Sequence, residues 1–328
     1  MRRRDFIQGI AISSAWPLAA RAQQQLRHIG VLMGFAESDP IIQSALAVFL
    51  QQLGETGWVP DRNLKIEYRW VSGDLERAQR AADELIALKP DLIFASTTPM
   101  TAILKRATST IPIVFAQVSD PVGSGFVESL ARPGGNITGF INMEDAMGGK
   151  WLEILKEAAP IVNHAIIIFN PDTAPGAGRY FLPSFEMAAQ RLGISGIATP
   201  VHDPSEIERA IGDLAARPNG GLVAMGDSFL IVHFELVRKL AEKYKLPAVY
   251  GLDARAREGA LISYAPDTSD LYRKSATYVD RILRGDNPRD LPVQLPTKFN
   301  LAINLKAAKT IGLTIPQTFL AIADEVIE

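Results

Sequence analysis

The sequence contains no cysteine. That excludes disulfides, a thiol nucleophile and any thiolate metal site. Histidine is scarce, with four in 328 residues. His28 and His164 stand at strand beginnings, and His233 shares an apolar helix face with Leu236, Val237 and Leu240. His202 opens "HDPSE", a helix start with Asp203 as N-cap, Pro204 at N1 and Glu206 at N3. No two histidines have metal-ligand spacing. There is no nucleophile elbow, no P-loop and no dinucleotide fingerprint, since the first strand ends in "GVLMGFAESDP". "RPGGN" (Arg132–Asn136) is glycine-rich but follows an expected helix and precedes a strand, so it reads as a turn. Enzyme chemistry has little support here, and neither a metal nor an organic cofactor is expected.

No apolar run approaches the ~20 residues that span a bilayer. The start, "MRRRDFIQGIAISSAWPLAARAQQ", has a basic beginning, a mildly apolar middle and the small-residue exit Ala20-Arg21-Ala22. It reads as an export signal over residues 1–22, cut before Gln23. Arg3, Arg4, Phe6 and Ile7 fit the twin-arginine form, with an ordinary secretion signal as the alternative. No cysteine follows to carry a lipid anchor. The expected location is the periplasm. The signal holds four of the 34 basic and one of the 36 acidic residues, leaving 30 against 35, a net charge of −5. A nucleic-acid partner would require a basic surface, so none is expected.

What is present is an alternation of short apolar runs and helical patterns. Arg27–Phe35, Asn63–Trp70, Asp91–Ser96, Ile111–Val118 and Asn136–Ile141 read as strands, with helices between the first four. The pattern restarts at helix Ala146–Ala159. Strands follow at Ala165–Asn170, Ser195–Val201, Gly221–Met225, Pro247–Tyr250 and Ala260–Tyr264, with helices at Ala177–Leu192, Pro204–Ala216 and Ser228–Lys245. Nearly all-apolar strands separated by amphipathic helices imply parallel sheets covered on both faces. Two such series imply an α/β chain of two doubly wound lobes. Crossings are expected near Asn142 and Pro266, and near Leu291–Asn304, where "LPVQLPTKFNLAIN" breaks the rhythm. Lobe 1 then spans residues 23–142 and about 267–290, and lobe 2 residues 143–266 and about 291–328, joined by a hinge.

In open parallel sheets, ligands bind beyond the carboxyl ends of the strands. Those ends carry Phe35, Trp70, Ser96-Thr97-Thr98 and Ser119-Asp120 in the first series. In the second they carry Asn170-Pro171-Asp172, His202-Asp203, Gly226-Asp227-Ser228 and Tyr250-Gly251. The set is rich in hydroxyls, amides, aspartates and rings.

"TSTIPIVFAQVSDPVGSGFVESLARPGGNITGF" (Thr108–Phe140) resembles the signature segment of ABC-transporter substrate-binding proteins of the tryptophan/tyrosine-type group. The resemblance continues in order through "HIGVLMG", "GWVPDRNLKIEYRW", "PDLIFASTTPMTAILKRA", "IIIFNPDT" and "KFNLAINLKAAKTIGLTIP". It implies a periplasmic binding protein of type I architecture. Two lobes would close on a small solute, in some relatives an aromatic amino acid, and dock on a membrane permease served by a separate ATPase. The chain is expected to work as a monomer. A rival expectation is an extracytoplasmic sensor that reports a solute to a receptor or kinase.

Each candidate contact has a plainer reading beside it. Asp120 is either a cap before Pro121 or a ligand contact. Ser96, Thr97 and Thr98 open a helix and form either an anion site or a capping turn. Asp227 either receives an α-ammonium group or caps the next helix. Phe35, Trp70 and Tyr250 either line an apolar pocket or pack at sheet ends. Asn142 and Asn170 offer donor and acceptor to a solute, and Asn170-Pro171-Asp172 is also a turn.

Overall fold

The structure, a computed structural model, describes residues 26–328. The expected export signal lies outside the described residues. The first series builds β1 (Arg27–Met33), α1 (Pro40–Glu55), β2 (Leu64–Trp70), α2 (Leu75–Ala87), β3 (Leu92–Ser96), α3 (Thr98–Ala107), β4 (Ile113–Val118) and β5 (Ile137–Ile141). Its strands form a parallel sheet in the order β2-β1-β3-β4-β5. Alternation along β1 sends Ile29, Val31 and Met33 to one core and Leu32 to the other, so both faces are buried.

The second series builds α4 (Met147–Ala158), β6 (His164–Phe169), α5 (Leu182–Leu192), β7 (Ser195–Pro200), α6 (Pro204–Ala215) and β8 (Gly220–Ala224). It continues with α7 (Ser228–Val232), α8 (Phe234–Lys243), β9 (Ala248–Tyr250) and β10 (Ile262–Pro266). After α9 (Thr268–Leu283) come β11 (Phe299–Asn304), α10 (Leu305–Ile311), α11 (Gln317–Leu320) and β12 (Glu325–Ile327). The sheet order is β12-β11-β10-β9-β8-β6-β7. It is not wholly parallel, because β11 runs antiparallel to β10. The chain re-enters this lobe from its cleft end, so the entering strand must run away from the cleft.

Three crossings join the lobes. One follows β5, and one runs from β10 into α9, which buries Leu271, Tyr272, Ala276 and Val279 against the first sheet. The Trp58 indole donates to Asp280 at 2.7 Å and ties α9 to the end of α1. The third follows Gln294. Leu291 and Val293 are buried in the first lobe, and Gln294 exchanges backbone hydrogen bonds with Gly139 and Ile141.

Local chemistry moved some helix starts. The helix expected from Ala177 begins at Leu182, because Ala177 and Gly178 have φ of 54° and 87° and Pro183 sits in its first turn. The helix expected over Ser228–Lys245 breaks at His233, whose ring packs on Phe229 with centroids 4.4 Å apart. No helix follows Asp120. Its carboxylate accepts from the Gly123 N–H at 2.8 Å, and the chain turns through Gly125 at φ 66°.

Candidate functional site

The carboxyl ends of the two sheets face each other across a narrow cleft whose free cavity is about 50 Å³, with a mouth partly open to solvent. Phe35, Thr97, Thr98 and Asn142 line it from the first lobe and its exit, and Asp227 from the second.

Thr97 and Thr98 open α3. Thr97 has φ 79° and ψ 153°, a region almost reserved for glycine. No side chain caps this helix, and Pro99 in its first turn has no N–H, so the Thr98 and Met100 N–H groups are the ones left without a helical partner. The Thr97 hydroxyl is buried without a hydrogen-bond partner. It packs over Gly34, where a Cβ would come within 2.8 Å of it, so glycine is needed there. The Thr98 hydroxyl accepts from the Ser119 N–H at 3.2 Å, and the Ser119 hydroxyl donates to Asn142 Oδ1 at 2.7 Å. This wall is a connected set of hydroxyls, amides and backbone donors. It suits a carboxylate.

Asp227 forms the opposite wall. It caps α7, accepting from the Leu230 N–H at 2.9 Å, and also accepts from the Asn170 N–H at 3.0 Å and the Thr173 hydroxyl at 3.1 Å. Burial pushes its pKa up to about 6, partly offset by these donors. Asp253 lies nearby at the cleft edge, where its carboxylate accepts from the Thr268 N–H at 2.8 Å and from Asn300 at 3.1 Å. Burial raises its pKa as well. A cation between these walls would meet carboxylate on the second-lobe side. Phe35, Ile231, Leu252 and Leu271 supply the apolar part.

Five expected contacts lie outside the lining. Ser96 is fully buried, its hydroxyl accepting from the Gly34 N–H at 3.0 Å. Asn170 sits behind Asp227 and spends its side-chain oxygen on the N–H groups of Asp172 and Thr173. Tyr250 points into the second core, edge-on to Phe234, and burial raises its pKa. Asp120 belongs to a separate groove with Arg179 and Tyr180. Trp70 stacks on Tyr68 with centroids 6.4 Å apart, also away from the cleft.

Gln117, Thr173, Asp253 and Thr268 also line the cleft, and nothing in their residue types marks them in the sequence. Gln117 is a bulge in β4 at φ 56°, and its side chain accepts from the Tyr272 hydroxyl at 3.2 Å. Gly226 and Gly251 form the floor. A Cβ on Gly226 would lie 2.2 Å from the Gly251 carbonyl, and one on Gly251 would lie 2.5 Å from the Trp151 ring.

A two-lobe cleft with polar walls and an apolar floor can hold and release a small solute. A family model described as ABC transporter substrate binding protein matches residues 35–327. The chain belongs to this family. It is a family of solute-binding proteins, typically extracytoplasmic, rather than of enzymes. The chain is 26% identical over 277 residues to a protein of Clostridioides difficile (strain R20291) named tyrosine-binding protein, covering 84% of this chain and 78% of that one. A conserved domain protein from Vibrio cholerae matches with a TM-score of 0.84 and 26% identity, over 92% of this chain and 100% of that one. An ABC domain from Streptococcus pneumoniae, crystallised with L-Trp, matches with a TM-score of 0.83 and 25% identity, over 92% and 99%. Among the described residues, no helix is long and apolar enough to cross a membrane.

Proposed function

We propose that this chain captures an aromatic amino acid, or a related aromatic acid, in the periplasm and delivers it to the permease of an ABC importer. The observation that carries the reading is the pairing of opposite walls. The start of α3, with the free Thr97 hydroxyl, suits the solute carboxylate, and Asp227 on the other lobe suits its ammonium group. One solute then bridges both lobes, so binding favours closure. Phe35 and Ile231 would hold the ring, and Asn142 would hydrogen-bond near the hinge. The relatives named for tyrosine and crystallised with L-Trp support the same class of solute. In this reading the chain works as a monomer, exported through a twin-arginine signal that ends at Ala22.

A thermal-shift panel of amino acids, aromatic acids, sugars, nucleosides and polyamines tests the reading. A solute that binds only the folded state adds about 2.7 kcal/mol of stability at a hundredfold excess over Kd. L-tryptophan or L-tyrosine should raise the melting temperature of the wild type, and Asp227→Ala should abolish the rise. A rise with sugars or polyamines alone would overturn the choice of solute.

A further inference from the structure

Outside the cleft lining, an ion pair links the lobes. Asp39, on the first lobe, caps α1: its Oδ1 accepts from the N–H groups of Ile41 and Ile42 at 3.0 and 3.2 Å. Its other oxygen accepts from Arg255 Nη2, on the second lobe, at 2.8 Å. The two side chains are 9% and 11% exposed. Arg255 is also held on its own lobe, donating to Glu258 at 2.5 Å with its guanidinium 5.1 Å above the Phe234 ring. Close by in sequence to Phe234, Ile231 of α7 packs against the first lobe's core, and Val232 lies 3.2 Å from where a Cβ on Gly73 would stand.

We propose that the Arg255–Asp39 pair is a latch that holds the lobes closed and so sets how long a solute stays, without touching it. Each partner keeps a second role within its own lobe. Opening returns Asp39 to its helix cap and Arg255 to Glu258, so neither charge is stranded in an apolar site. Once exposed to water the two charges attract only weakly, so the pair favours the closed arrangement alone. Affinity scales with the closed fraction, and couplings of this kind shift affinities by about 5–150-fold.

Asp39→Asn is the sharpest test, because asparagine caps a helix as well as aspartate does but carries no charge. Arg255→Lys keeps the charge and loses the planar fork. Circular dichroism establishes that both variants are folded. Small-angle X-ray scattering then gives the radius of gyration of the ligand-free protein, and stopped-flow fluorescence gives the L-tryptophan dissociation rate. The latch predicts a larger ligand-free radius in Asp39→Asn and dissociation faster by about tenfold. The association rate should change far less, and Arg255→Lys should fall between the variant and wild type. Equal radii in wild type and Asp39→Asn overturn the latch, as does an unchanged dissociation rate. The kinetic arm rests on the solute reading above, whereas the scattering arm does not. If wild type fails to bind L-tryptophan, that reading falls and the radii alone decide the latch.

Discussion

Asp227 is 3% exposed and holds its proton up to about pH 6, whereas its ordinary value is 3.8. Burial is the main cause, so between those values the folded chain binds more protons than the unfolded one. The sign follows: this group's contribution to stability is fully present below the unfolded pKa and is lost as pH rises through about 6. The loss is about 3 kcal/mol at neutral pH. Ligand-free melting temperatures of wild type should therefore fall, relative to Asp227→Asn, between pH 4 and pH 7. An ammonium group beside the carboxylate favours its charged form, so affinity for an amino acid should rise through the same window. Titration calorimetry at pH 5 and pH 7.5 measures it, and equal affinities would contradict an Asp227–ammonium contact. Thr97 supplies a second test at this scale. Its φ of 79° with ψ of 153° costs roughly 1–3 kcal/mol for a residue bearing a Cβ. Urea unfolding should find Thr97→Gly more stable than Thr97→Ala by about 1 kcal/mol or more, with both variants weakened in solute binding. Equal stabilities would mean that this backbone is not strained.

Helix α4 meets α5 through two glycines, Gly148 and Gly149. A Cβ on Gly148 would lie 2.1 Å from the Phe181 carbonyl oxygen, and one on Gly149 would lie 2.8 Å from that of Ser184. Glycine inside a helix costs roughly 0.5–1 kcal/mol relative to alanine, so propensity alone favours Gly148→Ala. The clash is with backbone and has no cheap relief. Gly148→Ala should destabilise the chain by about 2 kcal/mol or more in denaturant unfolding. A stabilised variant would mean that the helices are free to move apart. Elements of this kind were legible in the sequence because parallel strands buried on both faces are almost wholly apolar. The side to which a strand-end residue turns was not. Each of three expected contacts lies one to three residues from a lining residue: Asp120 by Ser119, Tyr250 by Gly251, Asn170 by Thr173. All three stand at or just past a strand's end, where the loop turns the side chain to or from the cleft, whereas within a strand successive side chains alternate between the two faces. The bulge at Gln117 shifts that alternation further, and no residue type in "VFAQVSDP" signals it.

At the scale of the molecule, two series of strands and helices implied two lobes, and the breaks in rhythm near Asn142, Pro266 and Leu291–Asn304 implied a hinge. The contact between Asp39 and Arg255 was beyond reach of the sequence, since 216 positions separate them and they belong to different lobes. So was Asp253, which follows the sheet end at Tyr250-Gly251 and ties both hinge segments through Thr268 and Asn300. Its carboxylate fixes where α9 leaves for the first lobe and where β11 returns. The proposed function requires the cleft to bind an aromatic amino acid by its two charged ends, one on each lobe. Isothermal titration of L-tryptophan and L-tyrosine into the ligand-free chain at pH 7.5 tests it most directly. At least one of them should bind saturably and one-to-one, with a negative heat-capacity change from buried apolar surface. That binding should be lost in Asp227→Ala. Absence of binding for both amino acids, or undiminished binding in Asp227→Ala, would contradict it.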